Sequence, residues 1–117
     1  MYALGRHLLL DLKDCNKEVL NDLAFLRQAL VSAAEKAGAT VLEDSFRQFE
    51  PQGVSGIVVI AESHLSIHTW PEHGYVAIDI FTCGNTVNPE TAAEALIQAL
   101  GSKSPTIIEL TRGLLSI

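Results

Sequence analysis

Two short runs, HLSIHTW at 64–70 and YVAIDIFTC at 75–83, constrain the fold more than any other feature of the chain. Side chains on a β-strand alternate between faces. Leu65 and Ile67 therefore point one way, while His64, Ser66, His68 and Trp70 point the other. Val76, Ile78 and Ile80 likewise oppose Ala77, Asp79, Phe81 and Cys83. Pro71, Glu72, His73 and Gly74 between the runs carry turn chemistry, which makes the two strands antiparallel neighbours. The sheet so formed has one aliphatic face and one face of reactive groups. The aliphatic face calls for helices to cover it. The other, with Trp70 and Phe81 among polar groups, is too apolar for plain solvent and is expected to meet a second subunit or enclose a ligand. Ordinary packing of a half-polar sheet face is the competing reading.

The flanking sequence supplies the helices. Residues 2–12 read as a first strand and 15–38 as a helix, with Asn16 as N-cap and Gly38 just past its end. Val19, Leu23, Leu26, Leu30, Ala33 and Ala37 step by threes and fours along one stripe of that helix. Strands are expected over 40–50 and 53–62, joined at Pro51, Gln52 and Gly53. Asn88-Pro89-Glu90 opens a second helix that Gly101 ends, and 105–110 closes as a strand. The order β, α, four β, α, β predicts one α+β domain over 1–117. It is a two-layer sandwich, an antiparallel sheet with both helices on one face.

Composition narrows the partners. A hydrophobic share of 48%, a mean hydropathy of +0.24 and only 19% charged residues suit a chain that buries surface against a copy of itself. The net charge of −6, with no basic cluster, argues against nucleic acid. Cys15 and Cys83 form no CxxC pair, so neither zinc nor a disulfide framework is signalled, and His64, His68 and His73 make no convergent ligand set, so no metal is expected. The first apolar run is too short, and meets an acid too early, for a signal peptide or membrane span. A cytoplasmic protein with no membrane partner is the expectation.

Ser63 stands out against this pattern. It precedes His68 by five residues, so in one regular strand the two face opposite sides. A bend at Glu62-Ser63 is needed to bring them together, and backbone strain of that kind is typical of functional sites.

The segment GVSGIVVIAESHLSIHTWPEHGYVAIDIFTCG, together with LGRHLLLDL and GATVLEDSFRQFEPQGVSG before it, resembles the prokaryotic S-adenosylmethionine decarboxylase proenzymes. The resemblance implies a precursor that cuts itself between Glu62 and Ser63 into a β chain, 1–62, and an α chain, 63–117. The Ser63 hydroxyl attacks the Glu62 carbonyl, His68 is the proton acceptor of processing, and Ser63 becomes a pyruvoyl group. That group is the cofactor, which condenses with the substrate amine as a Schiff base and draws electrons as pyridoxal does. Cys83 is the implied proton donor in catalysis; an ordinary thiol titrates near about 8.5 and is protonated at neutral pH. The resemblance further implies a pocket in which Phe49 stacks on adenine and Glu72 holds the ribose hydroxyls. Ser55 orients the processing ester, Trp70 and Leu65 line the walls, and aromatic rings attract the sulfonium.

The implied activity is decarboxylation of S-adenosylmethionine to the aminopropyl donor of spermidine synthesis, by a homodimer of α/β heterodimers whose site draws on both subunits. Two alternatives remain at this stage. One is a pyruvoyl-dependent arginine or ornithine decarboxylase of the same fold. The other is an uncut module that binds an adenosyl ligand.

Overall fold

The alternation at residues 64–83 is that of a hairpin at the centre of a sheet. A computed structural model describes residues 2–116. Its elements are β1 (Tyr2–Lys13), α1 (Leu23–Lys36), β2 (Val41–Gln48), β3 (Val54–Ile60), β4 (Ser63–Trp70), β5 (Tyr75–Cys83), α2 (Pro89–Leu100) and β6 (Ser104–Leu115), with a 3-10 turn over Pro71–His73. The six strands form one sheet in the order β2-β3-β4-β5-β1-β6, antiparallel throughout. This is the expected α+β sandwich. The first strand of the chain lies between the fifth and the last.

Both helices cover one face. Leu8, Leu10 and Leu12 of β1, Leu65 and Ile67 of β4, and Val76, Ile78 and Ile80 of β5 pack with Leu26, Leu30 and Ala33 of α1 and Ala93, Leu96 and Leu100 of α2. Each large aliphatic side chain buried this way stabilises by roughly 1.5–3 kcal/mol, so the core fixes which face of every strand stays open. Neither helix is long and apolar enough to cross a membrane.

Two boundaries differ from the sequence reading. Asn16 does not cap α1: its side chain accepts from the Glu18 amide, and residues 17–21 make turns closed by three-residue hydrogen bonds. Asp22 is the N-cap, accepting from the Phe25 amide at 3.1 Å. Leu20 spends that extra turn reaching the core, where it is fully buried. The last strand also runs on to Leu115, because its backbone ladder with β1 continues to Tyr2 and needs no apolar alternation. The α2 limits agree with expectation, with Asn88 accepting from Thr91 and Gly101 at a positive φ of 65°.

On the helix side, Phe46 of β2 lies across Gly56 of β3, directly opposite in register, where a Cβ would overlap the ring. Arg6 of β1 donates from Nε to Glu109 of β6 at 2.8 Å and pairs with Glu90 in the first turn of α2. The guanidinium holds both carboxyls below their ordinary range.

Candidate active site

Chemically active residues form two groups, one at each end of β4. The first gathers about the turn after β4. Pro71 starts the 3-10 turn and Gly74 ends it in the left-handed region, leaving Glu72 exposed at the rim. Phe49 is anchored by its amide to the Gly53 carbonyl at 2.8 Å, and its ring stays 46% exposed. Phe49, Ser55, His68, Trp70 and Glu72 share one cavity of about 280 Å³. Five residues named from sequence are thus brought together. Ser55 and His68 face each other across β3 and β4, and the Ser55 Oγ lies 2.9 Å from His68 Nδ1. With its proton on Nδ1, His68 donates to Ser55 and leaves Nε2 bare, the form a proton acceptor requires.

Trp70 leans on Tyr75, with ring centroids 5.2 Å apart, and the Tyr75 hydroxyl donates to Asp11 at 2.7 Å. Desolvation, and then the Asp11 hydrogen bond, push the Tyr75 hydroxyl up to about 12.

The second group lies at the start of β4. Ala61 and Glu62 make a two-residue turn between β3 and β4, with Ile60 paired to Ser63. Glu62 holds φ at 70°, in the left-handed region that costs a residue with a side chain about 1 kcal/mol or more. The bend expected at Glu62-Ser63 is present. It does not, however, bring Ser63 to His68: Ser63 opens the strand, with the parity of Leu65 and Ile67, and five residues of strand separate the two by about 16 Å. Cys83 ends the adjacent strand at Ser63's end of the sheet, on the same open face as His68. Leu65 is a correction. It is 1% exposed in the helix-side core, so its side chain lines no pocket on the open face.

Sequence reading missed the group between these two ends. His7, remote in sequence, stands beside the centre of the open face because β1 pairs with β5. Arg112 donates to His7 Nδ1 at 2.9 Å, which leaves Nε2–H to donate to Asp79 Oδ1 at 2.9 Å. Ser66 donates to the other Asp79 oxygen at 3.1 Å. Parity pointed to Asp79 and Ser66, but nothing local placed β1 and β6 alongside them. Among the described residues no three His, Cys, Asp or Glu side chains converge as a metal site.

The sequence matches the family described as S-adenosylmethionine decarboxylase over residues 6–113. The chain belongs to that family. Among curated S-adenosylmethionine decarboxylase proenzymes, that of Thermodesulfovibrio yellowstonii is 56% identical over 116 residues, 99% of this chain and 86% of the relative. That of Bacillus cytotoxicus is 50% identical over 113 residues, 97% of this chain and 87% of the relative. The crystal structure of the adenosylmethionine decarboxylase from Aquifex aeolicus matches with a TM-score of 0.93 at 34% identity, covering 99% of this chain and 96% of that one. The S-adenosylmethionine decarboxylase family thus accounts for the whole described fold, edge strand β6 included.

Proposed function

We propose that this chain is a self-cleaving, pyruvoyl-dependent S-adenosylmethionine decarboxylase that works as a dimer in the cytoplasm. One observation carries the reading: the Ser55–His68 hydrogen bond opens into the cavity that also holds Phe49, Trp70 and Glu72. A proton acceptor, two aromatic walls and a carboxylate suit an adenosyl sulfonium, whose positive charge the rings attract and whose ribose diol one carboxylate accepts. Arginine and ornithine lack both diol and adenine. The two free cysteines fit a reducing compartment.

The residues suit a pyruvoyl group made from Ser63. The peptide before it sits in a tight turn, with Glu62 exposed and held at a strained φ. In processing, the Ser63 Oγ bonds to the Glu62 carbonyl carbon as the peptide C–N bond breaks. A base then removes the residue 63 Cα proton, the ester oxygen leaves as the new carboxylate of Glu62, and water hydrolyses the dehydroalanine left behind to the pyruvoyl ketone with loss of ammonia. Once formed, the group offers a ketone that takes the substrate amine and accepts the electrons freed with carbon dioxide. Cys83 returns a proton to the substrate carbon.

His68 serves as the base on Ser63 of a second copy. Within one chain about 16 Å of strand separates the two, whereas Ser63 sits at the turn that opens β4, half-buried and not sealed in the core. The open face suits such a partner, with Ile57 37%, Trp70 41%, Leu110 45% and Leu114 59% exposed along it. A two-fold pair of stacked sheets sets the Ser63 end of one copy against the His68 end of the other.

Denaturing intact mass spectrometry, followed by product assay with S-adenosylmethionine, arginine and ornithine, tests the reading. The expected result is two chains, 1–62 and a pyruvoyl-blocked 63–117, with carbon dioxide released from S-adenosylmethionine. One uncut chain after long incubation would leave only the adenosyl-binding module.

A further inference from the structure

The Cys83 thiol has a neighbour that the proposed chemistry does not explain. Gly5 of β1 is its direct cross-strand partner. A Cβ on Gly5 would stand 2.8 Å from Cε1 of Phe81, 3.0 Å from the Thr82 carbonyl oxygen and 3.4 Å from the Cys83 sulfur. Gly5 is not among the glycines at positive φ, so its backbone suits any residue. What excludes a side chain is the space above it.

That space is already occupied, and its occupant is held on three sides. The Phe81 ring stacks on His7 at 5.1 Å, meets the edge of His64 at 6.0 Å, and lies under the Arg112 guanidinium at 5.4 Å. Arg112 is itself paired opposite Gly5 on β6, so its path to Phe81 crosses the strand beside the missing side chain. His7 is fixed in turn by Arg112 and Asp79. A methyl group at position 5 cannot move the ring cheaply and cannot move the Thr82 backbone. The added group would press first on the ring and the backbone, and the thiol beside them at 3.4 Å, on a single rotatable bond, would be displaced with whatever they give up.

We infer that Gly5 is a positioning residue for the Cys83 thiol: its missing side chain forms the cleft in which the clamped Phe81 ring and the thiol lie together. The inference rests on the reading of Cys83 as proton donor. In that step the electron pair left on the substrate carbon by the loss of carbon dioxide forms a C–H bond, the S–H bond breaks, and water later restores the thiol. A proton delivered instead to the chain's own residue 63 carbon leaves the amine nitrogen there. The net products are then alanine at the start of 63–117, carbon dioxide and an aldehyde from the substrate. The number of turnovers per alanine formed therefore reports where the donor stands.

The test uses full-length Gly5→Ala, Gly5→Ala/Phe81→Leu, Phe81→Leu and Cys83→Ala proteins. Iodoacetamide labelling of Cys83 is followed by peptide mass in the uncut Ser63→Ala background, where no cofactor contributes, with buried Cys15 as the internal check on folding. Gly5→Ala is expected to change the Cys83 labelling rate, and to lower the turnovers per alanine, by about tenfold or more, because displacement of a reacting group by about 1 Å costs up to a hundredfold. Phe81→Leu in the same chain is expected to restore both. Wild-type values in Gly5→Ala, or no recovery in the double variant, would overturn the inference. Should Gly5→Ala fail to fold, Phe81→Leu alone decides, since freeing the cleft must speed labelling. Wild-type turnovers per alanine in Cys83→Ala would instead remove the donor reading, and the labelling arm would still judge the cleft.

Discussion

Ser63 and His68 lie on one strand yet face opposite sides of the sheet, five residues apart. A catalytic base and the atom it serves must come within hydrogen-bond reach. A single copy of this chain cannot bring that about without dismantling β4.

Two defective copies should therefore rescue each other. Co-expressed Ser63→Ala and His68→Ala chains form a mixed pair in which an intact Ser63 meets an intact His68. The expected result on a denaturing gel is cleavage of about half of the His68→Ala chains, given random pairing, and none of the Ser63→Ala chains. Each variant alone stays whole. No cleavage in the mixture would mean that the site is not shared.

Glu72 at the rim of the cavity should govern affinity rather than chemistry. Glu72→Gln keeps the shape and removes the charge that strengthens bonds to a diol, a loss of about 1–2 kcal/mol. Steady-state kinetics should show KM rising by about tenfold, with self-cleavage complete and kcat near wild type. An equal fall in kcat would place the carboxylate in the reaction itself.

Gly56→Ala should destabilise without touching the chemistry. The added methyl overlaps the Phe46 ring on the helix side of the sheet. Overpacking of this kind costs roughly 1–3 kcal/mol, to be read as a lower urea midpoint. Gly56→Ala/Phe46→Leu should recover most of the loss, because the smaller side chain vacates the contested volume.

Tyr75 should titrate late. In a Tyr2→Phe background, tyrosinate absorbance should appear at about pH 12, above the ordinary value near about 10. The folded protein holds this proton more tightly than the unfolded chain does. Its stabilising effect is therefore whole below about pH 10 and is lost as pH rises through about 12. Asp11→Asn removes the carboxylate's charge and its hydrogen bond but leaves the desolvation, and should shift the titration part of the way back.

The parts legible in the sequence were those fixed by local rules. Alternation at 64–70 and 75–83 assigned faces correctly, and Asn88-Pro89 with Gly101 bounded α2. Asn16 misled because an Asx turn and an N-cap use the same side chain, and only the wish of Leu20 to be buried separates them. Leu65 was assigned to the pocket from family likeness although its own parity set it in the core. His7, Arg112 and Gly5 could not be found, since their roles depend on β1 lying between β5 and β6, a pairing between distant segments that no window of sequence expresses.

The strand order has a consequence for a chain cut after Glu62. The first piece supplies β1, β2 and β3, and the second β4, β5 and β6, so the sheet β2-β3-β4-β5-β1-β6 alternates between pieces at three seams. The pieces are braided, and neither can leave without opening every seam at once. While folded, the break goes unnoticed. Once unfolded, each cut subunit must reassemble from two pieces that have to find each other, a bimolecular step that the folding of an uncut subunit does not contain. A cut after Glu62 would thus turn the folding of one subunit from an event within a chain into an encounter between two.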